Sequence, residues 1–232
     1  MKTRYAIPLA IVLALLLAGC SALDVVGKTA VSTFQALLER SSGSVALDEQ
    51  LNRWVLSSPG GEKFEWSADF SGQGPDFRLA FDATPYLQAG LDPARLPSAL
   101  FQYDPQARIL SLGFEVGQEK FSYSGSPSPL ATFTRIVEKH RSLIGYHEAL
   151  DHYGIALGGG NMFEWAKDFA RNDKDLVFVL NPEPLLQAGV DPARVAGWVF
   201  TKVPVKDAQG QTVEVDKFVR PYDLKPAAGT GS

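Results

Sequence analysis

Phe64-Glu65-Trp66, with Asp69-Phe70, Gln88-Ala89-Gly90, Asp92-Pro93-Ala94-Arg95 and Phe101 behind it, is a stretch that the chain contains twice. It returns as Phe163-Glu164-Trp165, Asp168-Phe169, Gln187-Ala188-Gly189, Asp191-Pro192-Ala193-Arg194 and Phe200, at a constant offset of 99 positions. Between residues 60–101 and 159–200, 18 of 42 positions are identical without a gap, far more than shared composition yields. A fixed period of this kind marks an internal duplication. The match extends upstream, where Thr33-Phe34 and Glu39 return as Thr132-Phe133 and Glu138, and downstream, where Glu115-Val116 returns as Glu214-Val215.

Working outward, an apolar stripe at helix spacing predicts a first helix in each copy, through Val31, Phe34, Leu37 and Leu38 and again through Leu130, Phe133, Ile136 and Val137. A second helix is expected where Leu47, Leu51 and Trp54, and Tyr146, Leu150 and Tyr153, share a face before the glycines at 60–61 and 158–160. Alternation of apolar and polar residues through 64–70 predicts a half-buried strand, paired as a hairpin with 77–81, and likewise for 176–180 in the second copy. Asp82 and Asn181 are N-cap types and Gly90 and Gly189 suit an exit, so a short helix lies between them; Asp92-Pro93 and Asp191-Pro192 start another turn. Strands are expected near 100–103 and 198–203, then at 109–116 and 121–123, and at 213–215 and 218–222. The resulting class is α+β, as two tandem repeats of about 95 residues, each helices plus antiparallel β-hairpins, packed as a pseudo-symmetric pair. The expected boundaries are a signal peptide at 1–19, a lipidated tether at 20–29, repeats at 30–123 and 130–223, a Ser/Gly/Pro linker at 124–129 and a disordered tail at 224–232.

The chain opens with Lys2 and Arg4, continues as an apolar run over 6–17 and ends that region on Leu17-Ala18-Gly19-Cys20. This is the layout of a secretory signal, too short for a comfortable membrane span. The last four residues resemble the lipobox of bacterial lipoproteins. That resemblance, confined to residues 1–20, implies cleavage before Cys20 and a lipidated cysteine carrying a thioether-linked diacylglycerol and an N-acyl chain. It implies a membrane-anchored, extracytoplasmic protein of the bacterial cell envelope, since two or more acyl chains anchor stably where one is marginal. Cys20 is the single cysteine, so a lipidated Cys20 leaves no thiolate for a disulfide or metal. Cleavage takes the formal charge from −4 to −6, because Lys2 and Arg4 leave with the signal. An acidic body without a basic run does not suit nucleic acid.

Among candidate residues, His140, His147 and His152 fall within the expected second helical region. There the five-residue spacing of His147 and His152 would turn their imidazoles about 140° apart, so no shared metal is expected. His147 and Asp151 have the i, i+4 spacing, but their first-copy counterparts are Asp48 and Asn52, and His140 replaces Ser41 as a packing residue. Glu65 with Asp69, and Glu164 with Asp168, are carboxylate pairs that acid/base chemistry could use, yet in a half-buried strand they read as the solvent face. Arg95 and Arg194 suit a local ion pair with Asp92 and Asp191, or else an anion in each half. Trp66 and Trp165 suit the core, or else the wall of a groove for an apolar ligand. The expectation is a non-enzymatic binding or scaffolding module without cofactor, facing an envelope protein partner. The alternatives are a carrier of lipid or a small apolar ligand, and a hydrolase built on the acidic pairs or the histidines.

Overall fold

A computed structural model describes residues 20–69, 74–115, 127–148, 150–169, 174–206 and 209–224. The protein is α+β, with twelve strands among these residues forming two six-stranded antiparallel sheets. In the N-terminal half the strands are β1 (Val45–Asp48), β2 (Arg53–Ser57), β3 (Lys63–Ser67), β4 (Phe77–Asp82), β5 (Phe101–Asp104) and β6 (Ile109–Phe114). The C-terminal half supplies β7 (Ile144–His147), β8 (His152–Ala156), β9 (Met162–Ala166), β10 (Leu176–Leu180), β11 (Val199–Lys206) and β12 (Thr212–Tyr222). The orders β1-β2-β3-β4-β6-β5 and β7-β8-β9-β10-β12-β11 are the same path drawn twice. Four α-helices accompany them: α1 (Cys20–Arg40), α2 (Thr84–Gln88), α3 (Pro129–Lys139) and α4 (Glu183–Gln187). Among the described residues no helix is long and apolar enough to cross a membrane.

The helices form where local chemistry asks for them. Ser128 caps α3 by accepting from the Ala131 N–H at 3.1 Å, with Pro129 in the first turn, and Phe133, Ile136 and Val137 make its buried stripe. In α1 the buried stripe is Ala30, Phe34, Leu37 and Leu38, with Val31 only half-buried. The expected second helix of each half is instead a hairpin. Asp48 accepts from the N–H groups of Gln50 and Leu51 at 3.0 Å, and Asn52 takes φ 50°. That is the turn chemistry of a reversal, and it leaves Leu47 opposite Trp54 across the ladder. Asp151, at φ 52°, does the same between Tyr146 and Tyr153.

The remaining elements differ from expectation in smaller ways. Asp82 and Asn181 accept from the N–H groups of Thr84 and Glu183, while the N-cap positions are Ala83 and Pro182. Asp92 and Asp191 cap the following turns by accepting from Ala94 and Ala193. The two strands expected at 213–222 are one continuous β12, 121–126 and 225–232 lie outside the described residues, and Ser128 and Pro129 of the expected linker cap and open α3. Leu224, expected to open a disordered tail, is buried, and its N–H donates to Asp175 at 2.5 Å. The segment 20–29, expected as a tether, is helical backbone within α1.

One continuous core joins the halves. Phe34 stacks on Phe133 with centroids 3.6 Å apart, and Phe64 on Phe163 at 4.2 Å. Trp165 donates from Nε1 to Thr33 at 2.9 Å, and Trp66 to Thr132 at 3.0 Å, so each tryptophan is fixed by the helix of the other half. The Asp92 N–H donates to the Ala188 carbonyl and the Asp191 N–H to the Ala89 carbonyl, both at 2.8 Å. Between these bonds Gly90 (φ 103°) and Gly189 (φ 101°) touch, and a Cβ on either would stand 2.8 Å from the other's carbonyl oxygen. Gly90→Ala is therefore expected to destabilise the protein by about 2–3 kcal/mol, from left-handed strain plus the forced separation of the two loops. Urea unfolding measures this, and a loss under about 0.5 kcal/mol would mean that the two loops part freely.

Candidate functional site

The chemistry of the molecule collects on the sheet face turned away from the core. Trp165 and Phe163 point inward from β9, so alternation sends Met162 and Glu164 outward. On β7 and β8, Gly145 pairs with Gly154 and His147 with His152 directly across the ladder. Those four positions share the outer face with Glu164. The arm formed by the distal parts of β11 and β12 continues past the pairing of β12 with β10, which covers only 218–222. Val203, Pro204 and Val205 of this arm form one wall of a cavity of about 450 Å³. Gly145, Gly154, Met162, Glu164 and Val179 form the opposite wall, and Lys217 of β12 closes one end.

The glycines shape this space. A Cβ at Gly154 would press on the Glu164 stem at 3.1 Å and on Met162 at 3.2 Å, whereas one at Gly145 would meet open space. In the N-terminal half the corresponding residues are Ala46 and Val55, with Lys63 for Met162 and Arg78 for Val177. There Arg78 reaches across to Glu65 at 3.1 Å, and Arg53 donates to the Pro75 carbonyl. A second cavity, of about 510 Å³, lies beside Arg78 and the 157–159 turn, but its guanidinium is already committed to Glu65.

Glu164 is only 2% exposed and Glu65 3%, so neither is on the solvent face expected of it; Asp168 is exposed and Asp69 half-buried. The correction has a physical cause: outer-face partners, Arg78 in one half and the two histidines in the other, carry the charge that burial would otherwise forbid. His147 Nδ1 lies 3.3 Å from Glu164 Oε1 and His152 Nδ1 3.7 Å from Oε2. A hairpin thus brings together two rings that a helix would have turned apart. Among the described residues no group of three or more His, Cys, Asp or Glu is arranged to hold a metal ion. His140 is half-buried at the end of α3, and Asp151 is engaged with Tyr146 and Lys167 rather than with His147.

The other residues singled out from sequence lie elsewhere. Trp66 and Trp165 are wholly buried in the shared core, Arg194 donates to the Gln88 carbonyl of the other half at 2.9 Å, and Arg95 sits beside Gly189. None of the four lines the 450 Å³ cavity. Lys217, Gly145 and Gly154 were not picked out by motif. For the two glycines the signal lay in positions at which the halves differ, Gly for Ala46 and Val55, with Met162 for Lys63 beside them.

The pair is electrostatically locked. Its hydrogen bond to Glu164 holds His147 above the ordinary imidazole value of 6.5, against the opposing effect of burial. Burial pushes Glu164 up, but the imidazoles of His147 and His152 together outweigh it and hold the carboxyl below its usual 4.5. A raised histidine stabilises fully below its unfolded value and loses that contribution as pH rises through its folded value; a depressed carboxylate stabilises above its unfolded value and loses it on acidification. The pair's contribution is therefore greatest between the ordinary values of 4.5 and 6.5, declining as pH rises through the raised histidine value and as it falls below 4.5. Glu164→Gln is expected to flatten the decline in urea-unfolding free energy above pH 6.5, and an unchanged slope would show that the pair is not coupled to folding. His147→Ala at pH 6 is expected to cost about 2–4 kcal/mol, since Glu164 stays buried without its donor while the histidine site is partly solvated.

Compared with protein-family models, with curated proteins and with solved structures, the chain gives no match.

Proposed function

We propose that the protein is a lipid-anchored lipoprotein of the bacterial cell envelope, extracytoplasmic and joined to its membrane through Cys20. Its body acts as a non-enzymatic binding module for a small ligand with an apolar body. We further infer that this body is a tandem duplication whose halves pack as a pseudo-symmetric pair. The support for the pairing is that residues 99 positions apart meet each other at Phe34 and Phe133, Phe64 and Phe163, and Gly90 and Gly189. The anchor rests on the lipobox-like residues 17–20 and on the course of α1. That helix starts at Cys20 and has Ala30 buried in the body ten positions later, about 15 Å along its axis.

The observation that carries the binding reading is the cavity of about 450 Å³ between arm and sheet. It lies in the size range of small-molecule sites, with apolar walls and a few polar groups at fixed places. It favours a small-ligand carrier over a surface for a protein partner. Binding is preferred to glycoside cleavage because Glu164 is buried against His147 and His152 while Asp168 is exposed beyond the end of β9, so the two carboxylates do not line one cleft.

Two measurements test this. Labelled palmitate is expected to enter the wild-type chain and not Cys20→Ser, which should leave the membrane fraction; label in the variant would overturn the anchor. Native mass spectrometry of protein purified from its own envelope is expected to show a stoichiometric small-molecule adduct that Gly145→Leu removes by filling open space. A clean unliganded mass for the wild type would sink the cavity reading.

A further inference from the structure

Lys217 is the unusual residue of the cavity. It is 9% exposed, and its Nζ donates to the Gly160 carbonyl at 2.7 Å. Among the described residues it meets no carboxylate, so two of its three ammonium protons have no protein acceptor. A buried ammonium without a counter-ion is held against a large desolvation penalty. That penalty pushes its pKa down, with no opposing charge to restore it. Gly160 leaves just enough room for the group, since a Cβ there would stand 3.0 Å from Nζ.

Resting on the cavity reading above, we propose that the ligand carries a carboxylate held by Lys217, with its apolar body laid along Val179 and Met162 beneath the β11–β12 arm. Glu164 does not repel it. The ammonium sits at the turn that precedes β9, whereas Glu164 lies within that strand, on the side of the His147–His152 pair. Its charge is also engaged by His147 and His152. The cavity is therefore polarised, cationic at one end and internally neutralised at the other, with valine and methionine between. At about 30 Å³ for each water-sized group, 450 Å³ accommodates an occupant of roughly fifteen heavy atoms. A medium-chain carboxylate has that size and that charge.

The test is isothermal titration calorimetry at pH 7 on the mature chain carrying Cys20→Ser, so that no attached acyl chain competes. The probes are octanoate, 1-octanol, octylamine and octyl phosphate. Octanoate is expected to bind roughly tenfold or more tightly than octanol, as a hydrogen bond to a charged group allows, with octylamine weakest. Lys217→Met is expected to erase the advantage of octanoate and leave octanol unchanged, and Gly145→Leu to weaken both. Octanol binding as tightly as octanoate, or an octanoate advantage that survives Lys217→Met, overturns the acid-head assignment while the cavity reading stands. Octyl phosphate binding more tightly than octanoate overturns the carboxylate in particular. No heat from any probe overturns the cavity reading itself. A melting curve for each variant separates lost binding from lost fold.

Discussion

The architecture depends on a close approach that only glycine permits. Gly90 and Gly189 meet backbone to backbone, and the flanking N–H groups of Asp92 and Asp191 each donate to a carbonyl of the opposite half. Two loops of matching sequence can satisfy one another in this way because the N–H that each donates meets the carbonyl that the other offers, the logic of an isologous contact within one chain. The aspartate and proline of the motif hold each loop in its capped turn, and Arg194 ties its loop to Gln88. Behind this contact the helices α1 and α3 lie together, and each tryptophan finds its hydrogen bond on the opposite helix. The core residues of the two halves form one continuous cluster, so each half buries part of its apolar surface against the other.

This explains why the most closely matching residues of the two copies are not a site. Gln-Ala-Gly and Asp-Pro-Ala-Arg, at 88–95 and 187–194, are held in common because each copy must fit the other. Outward-facing positions carry no such constraint, and there the two halves differ. In the N-terminal half Arg78 spans the face and closes on Glu65. In the C-terminal half Val177 stands in its place, two glycines lower the surface of β7 and β8, and the long β11–β12 arm overlies the hollow. Both faces are hollowed, but the space beside Arg78 borders a guanidinium already paired with Glu65, whereas the C-terminal cavity borders glycines, valines and Lys217.

Much of the fold was legible in sequence because its signals are local. The capped prolines and exit glycines are set by neighbours in the chain, and the alternation at Phe64-Glu65-Trp66 marks β3, although that strand ends at Ser67 and is buried on both faces. The hairpin at 45–57 was misread because Leu47 and Trp54 lie on one helix face and also oppose each other in a ladder; the spacing cannot separate the two cases. Asp48 and Asn52, with the turn they make, were the deciding residues. The histidine error followed from the same choice, since His147 and His152 diverge on a helix and face each other across a hairpin. Lys217 was out of reach for a different reason. A lone lysine in a strand carries no motif, and its meaning comes from a carbonyl 57 positions away and an arm that folds over it.

The placement of charge follows from these constraints. A buried carboxylate stands in each half, at Glu65 and Glu164, and its neutralisation falls to different partners in the two. Arg78 solves it with a permanent charge whose long side chain also fills the face, so neutralisation and closure come together. Histidines solve it with compact rings seated on the outer two strands, which leaves the centre of the face empty. Exchanging arginine for histidine therefore does more than make the pair titratable. It moves the counter-charge to the edge of the sheet, frees the volume above Val179, and allows a cation of opposite purpose, Lys217, to stand at the far end without joining the network.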